Sequence, residues 1–251
     1  MEDRCYLLSV GELWGEGAET LLKEARGRVD GARREKAKRQ QPGPAQAASL
    51  GAGLLLQLAA QDFTARENAA GEKSECGKQE RNALYGLYEY TVSRLLSSLS
   101  SPLELRMDYG EKGKPYLKDY PFYFNLSHSG EYVICAVSDR EVGADIQRCS
   151  MEKGERLERI ARRFFSPEET AALVRCREQA ERAALFYRLW TRKEAYGKLT
   201  GSGIGAALNK NFLPPESEGE TDGDSVFWQE WQYPAGYRIA LCAQRAERPG
   251  T

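Results

Sequence analysis

Residues 189–199 constrain the fold of this chain more than any other stretch of the sequence. Their composition predicts the last turns of a helix, and Gly201 supplies a residue suited to the left-handed conformation that often follows a helix C-terminus. Glu194 and Lys198 are four residues apart, so a carboxylate and an ammonium share one helical face. Taken alone, such a pair is typical of a surface ion pair that contributes about 0.3–0.5 kcal/mol.

A second acidic site upstream changes that interpretation. The sequence from Val142 to Gln147 predicts a β-strand. Because successive side chains of a strand point to opposite faces, Asp145 and Gln147 are expected on one face and Ala144 and Ile146 on the other. We therefore consider the carboxylate on the strand together with the Glu–Lys pair on the helix, as parts of one candidate site.

These residues carry a resemblance to a known family. The pattern Trp190-x-x-Lys193-Glu194-Ala195-x-x-Lys198 resembles the second signature of the phosphopantetheinyl transferases, and Val142-Gly143-x-Asp145-Ile146 resembles the first. Three further blocks are similar to the surfactin-synthetase-activating-type branch: Gly113-Lys114-Pro115, Phe124-Asn125-Leu126-Ser127-His128-Ser129-Gly130 and Arg163-Phe164-Phe165-Ser166. Their order and spacing fit over residues 113–203, and the N-terminal third resembles the family more faintly.

The resemblance implies a fold and a reaction. The fold would be α+β, with two similar α/β halves and the active site at their interface. Residues 1–120 would form the coenzyme A half, and residues 121–251 would carry the metal and the signature helix. The chain would be a monomer with an internal pseudo-two-fold axis. As an enzyme it would transfer the 4'-phosphopantetheine arm of coenzyme A to a serine of an apo acyl or peptidyl carrier protein, with Mg²⁺, and release adenosine 3',5'-bisphosphate.

The resemblance also implies roles at the reacting centre. Asp145 and Glu194 would be metal ligands, Glu194 would also be the base, and Lys198 would lie against the pyrophosphate. Many family members carry a glutamate where this chain has Gln147. An amide oxygen can still ligate Mg²⁺ but brings no charge, so either Gln147 or a water would be the third ligand.

Several residues match positions that contact coenzyme A in the family: Arg33, Lys36, Lys114, Pro115, Ser127, His128 and Lys198. Residue by residue, other interpretations stay open. A basic run such as the one around Arg33 is usually a solvated helix face, and a lone histidine at a strand end is often bonded to the backbone. An arginine common in the next helix is replaced by Ser49, so nucleotide binding would depend more on Arg33 and Lys36.

Composition excludes several classes of protein. The length of 251 residues allows one large domain or two small ones, and the net charge of −1 points to neither nucleic acid nor membrane. The six cysteines are scattered without metal-ligand spacing, which indicates reduced thiols in a cytoplasmic protein. The first residues lack the apolar core of a secretory signal, and the apolar stretch 51–60 is too short to span a bilayer.

Periodicity predicts the elements that hold these motifs. Helices are expected over residues 19–39, 45–61, 83–99, 152–165 and 181–199, and strands over 5–10, 123–126, 132–137, 226–233 and 237–243. Ser166, Pro167 and Glu169 predict a capping box at the start of a further helix. Residues 65–81 and 214–224 are expected to be loops.

Three rival functions follow from the same residues. A serine hydrolase using Ser127, His128 and Asp145 is disfavoured because adjacent strand residues point to opposite faces. A dinucleotide-binding motif at Gly201-Ser202-Gly203-Ile204-Gly205 is disfavoured because these glycines end a helix. A degenerate family member that binds coenzyme A or carrier protein without transfer is the third, and Gln147 alone supports it.

Overall fold

The fold was analysed in a computed structural model that describes residues 3–71, 86–150, 154–208, 210–213 and 226–244. The chain divides into two compact units. Unit 1 comprises Met1–Asp108 and Pro115–Asp139, and unit 2 comprises Tyr109–Lys114 and Arg140–Thr251. Both mix helices with strands, as the α+β prediction requires. The main boundary lies after Asp139, in contrast to the predicted division at residue 120, because two strands beyond residue 120 complete the sheet of unit 1.

Unit 1 is built on a four-stranded sheet in the order β2-β1-β6-β5. Its strands are β1 (Arg4–Ser9), β2 (Leu87–Thr91), β5 (Tyr123–Ser129) and β6 (Tyr132–Ser138), and β3 (Met107–Tyr109) and β4 (Pro115–Leu117) form a separate two-stranded sheet. Its helices are α1 (Glu19–Gly27), α2 (Gly31–Lys38), α3 (Pro44–Gly71) and α4 (Val92–Ser98). β6 pairs antiparallel with both β1 and β5, so each of its edges is bonded.

Helix α3 provides most of the apolar face that covers this sheet. Leu50 and Leu54 are fully buried and Leu58 packs against the same core, which confirms the predicted stripe at four-residue steps. The helix continues to Gly71, ten residues beyond the predicted end, and therefore includes the first part of the predicted loop over residues 65–81. Residues 72–81 of that loop lie outside the described residues.

The predicted helix over residues 19–39 is two helices. The first helix ends at Gly27, and Asp30 begins the second, because its carboxylate accepts the backbone N–H of Arg33 at 2.9 Å. Arg34 closes α1 by donating to the carbonyl oxygens of Arg26 and Val29 at 2.9 and 3.2 Å. The basic run thus includes one arginine with a structural role at a helix end.

The predicted helix over residues 83–99 is wrong over residues 87–91, and residues 83–85 lie outside the described part of the chain. Leu87–Thr91 forms β2, which pairs in parallel with β1 from Cys5↔Leu87 to Ser9↔Thr91. Pairing with an existing strand satisfies the backbone and overrides the helical spacing of the side chains. The carboxylate of Glu12 accepts the N–H of Val92 at 2.8 Å and so caps α4, which begins there.

Unit 2 packs three helices with a three-stranded antiparallel sheet in the order β7-β9-β8. The strands are β7 (Val142–Arg148), β8 (Val226–Trp231) and β9 (Tyr237–Gln244), and the helices are α5 (Gly154–Phe164), α6 (Pro167–Arg175) and α7 (Gln179–Thr200). The capping box at the start of α6 is confirmed, since Ser166 and Glu169 bond each other's backbone N–H groups. The predicted loop at 214–224 lies outside the described residues.

Two bulk predictions concern thiols and membranes. Cys5, Cys135, Cys149, Cys176 and Cys242 are free thiols in the described part of the chain, and Cys76 lies outside it. None of the described helices has the length and apolar character needed to cross a membrane.

Candidate active site

The site in unit 2 depends on an unusually close approach of α7 to β7. A Cβ atom added at Gly143 would overlap the carbonyl oxygen of Ala195 and the backbone nitrogen of Leu199, and would lie 2.8 Å from the Leu199 Cα. Only glycine leaves room for this contact. Gly143 therefore allows the strand that carries Asp145 to lie directly against the helix that carries Glu194 and Lys198.

The end of α7 is also fixed by glycine. Gly201 has φ of 68° and provides the left-handed C-cap that the sequence predicted. Gly197 lies against the backbone of Gly203, whose carbonyl carbon would be 2.5 Å from an added Cβ. The segment after the helix therefore folds back over its last turn, where Lys198 is located.

Asp145 is held between two hydrogen-bond donors. Its side chain is almost fully buried, and Oδ1 accepts from the Lys198 ammonium at 2.6 Å. The other oxygen, Oδ2, accepts from the Gln147 amide nitrogen at 2.9 Å, which confirms that Asp145 and Gln147 share a face of β7. Lys198 donates in addition to the carbonyl oxygen of Ala144 at 3.2 Å. Both oxygens of this carboxylate are thus occupied by side chains of the site itself.

Glu194 is half-buried beside this cluster. Burial raises the pKa of its carboxyl, the negative charge of Asp145 raises the pKa further, and Lys198 partly offsets both effects. A carboxylate with a raised pKa is a stronger base than an ordinary surface glutamate. Two carboxylates and one ammonium therefore act on one another in a partly desolvated site, which is characteristic of functional clusters.

Lys193, which the family pattern includes but to which sequence reasoning gave no role, is completely buried. Its ammonium donates to Glu169 at 2.9 Å and to the carbonyl oxygens of Ala207 and Lys210 at 2.8 Å each. Glu169 also accepts the backbone N–H of Phe212 at 2.8 Å. Burial lowers the pKa of Lys193 and Glu169 opposes that effect. This ion pair connects α7 to α6 and to residues 207–212.

A second ion-pair network joins the preceding turn of α7 to strand β8. The carboxylate of Glu230 on β8 accepts from Arg188 at 2.8 Å and from Arg192 at 2.5 Å. These two arginines hold the pKa of Glu230 below its usual value even though burial alone would raise it. Arg192 also donates to the Phe212 carbonyl oxygen and lies over the Trp228 ring. Sequence reasoning missed these contacts, because the partners are distant in the chain.

Lys114 occupies a structural position in unit 2. Its ammonium pairs with the carboxylate of Glu141 and donates to the carbonyl oxygens of Val142 at 2.9 Å and Leu199 at 3.2 Å. These contacts join the start of β7 to the end of α7 and use all three ammonium donors. The predicted contact of Lys114 with a nucleotide stays a prediction, as does that of Pro115, the first residue of β4.

Four further predicted coenzyme A residues, Arg33, Lys36, Ser127 and His128, lie in unit 1. Ser127 on β5 is 8% exposed, whereas its neighbour His128 is exposed on the opposite face. This alternation confirms the argument against a Ser–His nucleophile pair. Arg33 and Lys36 lie on α2, where Arg33 is half-buried and Lys36 is exposed.

The residues in unit 2 fit a divalent cation. Asp145 is a buried carboxylate, and its negative charge raises the pKa of Glu194, so a cation bound by both carboxylates would relieve their repulsion. Among the described residues, no group of three or more His, Cys, Asp or Glu side chains is placed to hold a metal ion. A Mg²⁺ here would therefore take its remaining ligands from amide, water or substrate oxygens.

Comparison with known families agrees with this geometry. Residues 141–242, which contain β7, α7, β8 and most of β9, match the 4'-phosphopantetheinyl transferase superfamily. The described candidate site in unit 2 therefore lies within the part of the chain that is similar to this superfamily.

Individual relatives share the resemblance. The 4'-phosphopantetheinyl transferase Sfp of Bacillus subtilis (strain 168) is 33% identical over 153 residues, or 58% of this chain and 66% of the relative. The transferase psf-1 of Bacillus pumilus is 38% identical over 145 residues (53% and 58%), and gsp of Aneurinibacillus migulanus is 40% identical over 138 residues (53% and 56%). The alignments thus span between about half and two thirds of the length of these relatives.

The contact between Gln147 and Asp145 leads to a first prediction. Gln147→Glu replaces a donor 2.9 Å from a carboxylate by a second carboxylate. Without metal the variant should melt at a lower temperature than wild type, because like charges repel. With a divalent cation it should recover and bind the cation about tenfold more tightly, a scale typical of changes around metal sites.

Thermal melting against Mg²⁺ concentration at constant ionic strength measures both effects. Gln179→Glu, which adds the same charge at the exposed start of α7, is the control and should leave the Mg²⁺ dependence unchanged. Equal behaviour of the two variants would place Gln147 outside the surroundings of the metal.

Proposed function

We propose that this chain transfers the 4'-phosphopantetheine arm of coenzyme A to a serine of an apo acyl or peptidyl carrier protein. The observation that carries the proposal is the Asp145–Lys198 ion pair beside Glu194, located in the part of the chain that matches the superfamily. The relatives Sfp, psf-1 and gsp are each named 4'-phosphopantetheinyl transferases. Against a member that binds without transfer, Asp145, Glu194 and Lys198 are all present and interact in the described site.

The reaction is a displacement at the pyrophosphate of coenzyme A. The carrier serine oxygen forms a bond to the phosphorus that bears the pantetheine arm, and the bond from that phosphorus to the bridging oxygen breaks. Adenosine 3',5'-bisphosphate leaves with the electron pair of that bond. The serine hydroxyl proton passes to a base, for which Glu194 is the candidate because its pKa is raised towards the range in which proton transfer is efficient.

Lys198 stabilises the negative charge that develops on the leaving phosphate. Its ammonium donates to Asp145 and to the Ala144 carbonyl oxygen, which fixes it beside the two carboxylates. Lys198 is partly exposed, with 29% of its side-chain surface accessible, so it can reach a bound phosphate. A positioned ammonium in a site with restricted solvent stabilises phosphoryl charge strongly.

Asp145 and Glu194 are the residues that would hold Mg²⁺, with Gln147 as a further candidate ligand. When bound, the ion polarises phosphate oxygens and neutralises their charge. The third ligand depends on Gln147: its amide nitrogen donates to Asp145, so its oxygen points elsewhere unless the amide turns.

For the substrate we propose that Arg33, Lys36, Ser127 and His128 bind the phosphates of coenzyme A and that Lys114 and Pro115 border its adenine. Arg33, Lys36 and His128 are accessible at least in part, which binding requires. Two similar halves, a monomeric state and a cytoplasmic location stay predictions.

The experiment that tests this function is the intact mass of an apo carrier protein after incubation with the full chain, coenzyme A and MgCl₂. The carrier should gain the mass of one phosphopantetheine arm. It should gain none when its acceptor serine is replaced by alanine or when EDTA replaces MgCl₂. An unchanged carrier under all conditions, for acyl and peptidyl carriers alike, would leave the chain without the proposed activity.

A further inference from the structure

Gly53 leaves a space on the surface of helix α3, and the side chain of Arg33 packs into that space. A Cβ atom added at Gly53 would be 2.7 Å from Cγ and 3.3 Å from Cδ of Arg33. It would also be 2.8 Å from Cγ1 of Val29. Contacts below 3.0 Å force a displacement, and Cγ is close to the backbone of Arg33, so it cannot move aside as the tip of a side chain would. The observed conformation of the aliphatic stem of Arg33 is therefore possible only because residue 53 has no side chain.

The backbone of Arg33 is fixed independently. Its N–H donates to the Asp30 carboxylate at the start of α2, so the first part of the residue cannot shift without losing the cap. Its charge acts on Cys135, a fully buried thiol on β6 whose pKa burial raises to about 12 and Arg33 partly lowers. The backbone and the aliphatic stem of Arg33 are thus both fixed, the backbone by the cap of α2 and the stem by the surface of α3.

We propose that Gly53 is a positioning residue for coenzyme A: it fixes the stem of Arg33 so that the guanidinium meets a phosphate of the nucleotide. The inference rests on the proposed function, which assigns Arg33 to coenzyme A binding. Gly53 itself would touch no substrate. Its effect would pass through Arg33 alone, because a guanidinium binds phosphate through two directed N–H donors and loses that geometry when its stem is displaced.

Gly51 provides a matched control in the same helix. A Cβ there would be 2.5 Å from Val10 and 3.3 Å from Leu8 and Val133, which are core side chains, and no atom of Arg33 is among its nearest neighbours. Gly51→Ala and Gly53→Ala therefore make the same chemical change two residues apart, and both disturb packing. Only Gly53→Ala displaces Arg33.

The experiment measures equilibrium binding of coenzyme A by calorimetry for four full-length variants: Arg33→Ala, Gly53→Ala, the double variant and Gly51→Ala. Arg33→Ala should weaken binding about tenfold or more, as expected when a hydrogen bond to a charged group is lost. Gly53→Ala should weaken it roughly fivefold, and the double variant should bind no more weakly than Arg33→Ala, because coupled residues are not additive. Gly51→Ala should bind as wild type does.

Other outcomes would overturn the inference in different ways. In one such outcome, Arg33→Ala weakens coenzyme A binding but Gly53→Ala binds coenzyme A as tightly as Gly51→Ala does. In another, the loss of affinity caused by Gly53→Ala adds fully to the loss caused by Arg33→Ala in the double variant. Either result would show that Gly53 does not act through Arg33, and the proposed function would stand. If Arg33→Ala binds coenzyme A normally, the proposed role of Arg33 fails and the inference fails with it.

A second variant keeps the test usable if Gly53→Ala folds poorly. Gly53→Ala combined with Val29→Ala removes the buried side chain that the new methyl would meet and leaves the contact with Arg33. Its coenzyme A binding should still be weakened relative to Val29→Ala alone, and equal binding by these two variants would overturn the inference.

Discussion

Glu194→Gln is expected to lower kcat for phosphopantetheinyl transfer by about 10²–10⁴-fold, the range associated with loss of a general base. Glutamine has nearly the same shape but cannot accept the serine proton, and it offers Mg²⁺ a neutral oxygen in place of an anionic one. Coenzyme A should still bind within about threefold of wild type, because the proposed phosphate-binding residues are unchanged. Steady-state kinetics with a carrier protein and calorimetry with coenzyme A separate the two effects.

The stability of this variant should change in the opposite direction from its activity. Burial and Asp145 raise the pKa of Glu194 in the folded chain, so ionising this carboxyl opposes folding. Its contribution to stability is fully present below the pKa of the unfolded chain and is lost as pH rises through the higher folded pKa. At neutral pH and without metal, Glu194→Gln should therefore melt at the same temperature as wild type or higher.

Glu181→Gln is the matched control, since it makes the same substitution at an exposed position in the first turn of α7. It should keep wild-type kcat. A Glu194→Gln variant that transfers the arm at the wild-type rate would end the proposed mechanism. A variant that loses both activity and thermal stability would indicate misfolding and contradict the electrostatic account of Glu194.

Local chemistry explains which parts of the fold could be predicted from the sequence. The capping box of Ser166 and Glu169 and the left-handed cap at Gly201 depend on a few neighbouring residues, and both are confirmed. The shared face of Asp145 and Gln147 follows from strand alternation alone, and their 2.9 Å contact confirms it. The division of residues 19–39 into two helices had a local signal as well, in the N-cap residue Asp30.

Features that depend on distant partners could not be predicted in this way. Leu87–Thr91 becomes a strand because β1, eighty residues earlier, offers an edge for pairing. Gly143 could be recognised in the sequence as part of a motif. The reason why glycine is needed there is that the backbone of α7 lies against it, and only the tertiary structure shows that contact. The ion pair of Lys193 with Glu169 likewise joins two helices whose packing no spacing rule describes.

Lys193→Met is expected to destabilise unit 2 by about 3–5 kcal/mol, the loss found when one partner of a buried ion pair is removed. The methionine side chain fills much of the volume of the lysine, so the loss should come mainly from Glu169. That carboxylate has no exposed surface and would lose its cation, so that the backbone N–H groups of Ser166 and Phe212 would remain as its partners. Two carbonyl oxygens, of Ala207 and Lys210, would lose their donor as well.

A double variant distinguishes loss of the ion pair from loss of packing. Lys193→Met with Glu169→Gln removes both charges and retains an amide that can bond the backbone, so it should recover more than half of the stability lost in Lys193→Met.

The exposed pair on α2 is the control: Lys38→Met should cost less than about 1 kcal/mol, because Lys38 and Glu35 are both more than half exposed. Chemical denaturation can be followed by tryptophan fluorescence, to which unit 2 contributes Trp190, Trp228 and Trp231 and unit 1 contributes Trp14. A loss below about 1 kcal/mol in Lys193→Met, or no recovery in the double variant, would show that the buried charge pair does not hold α7 in place beside β7.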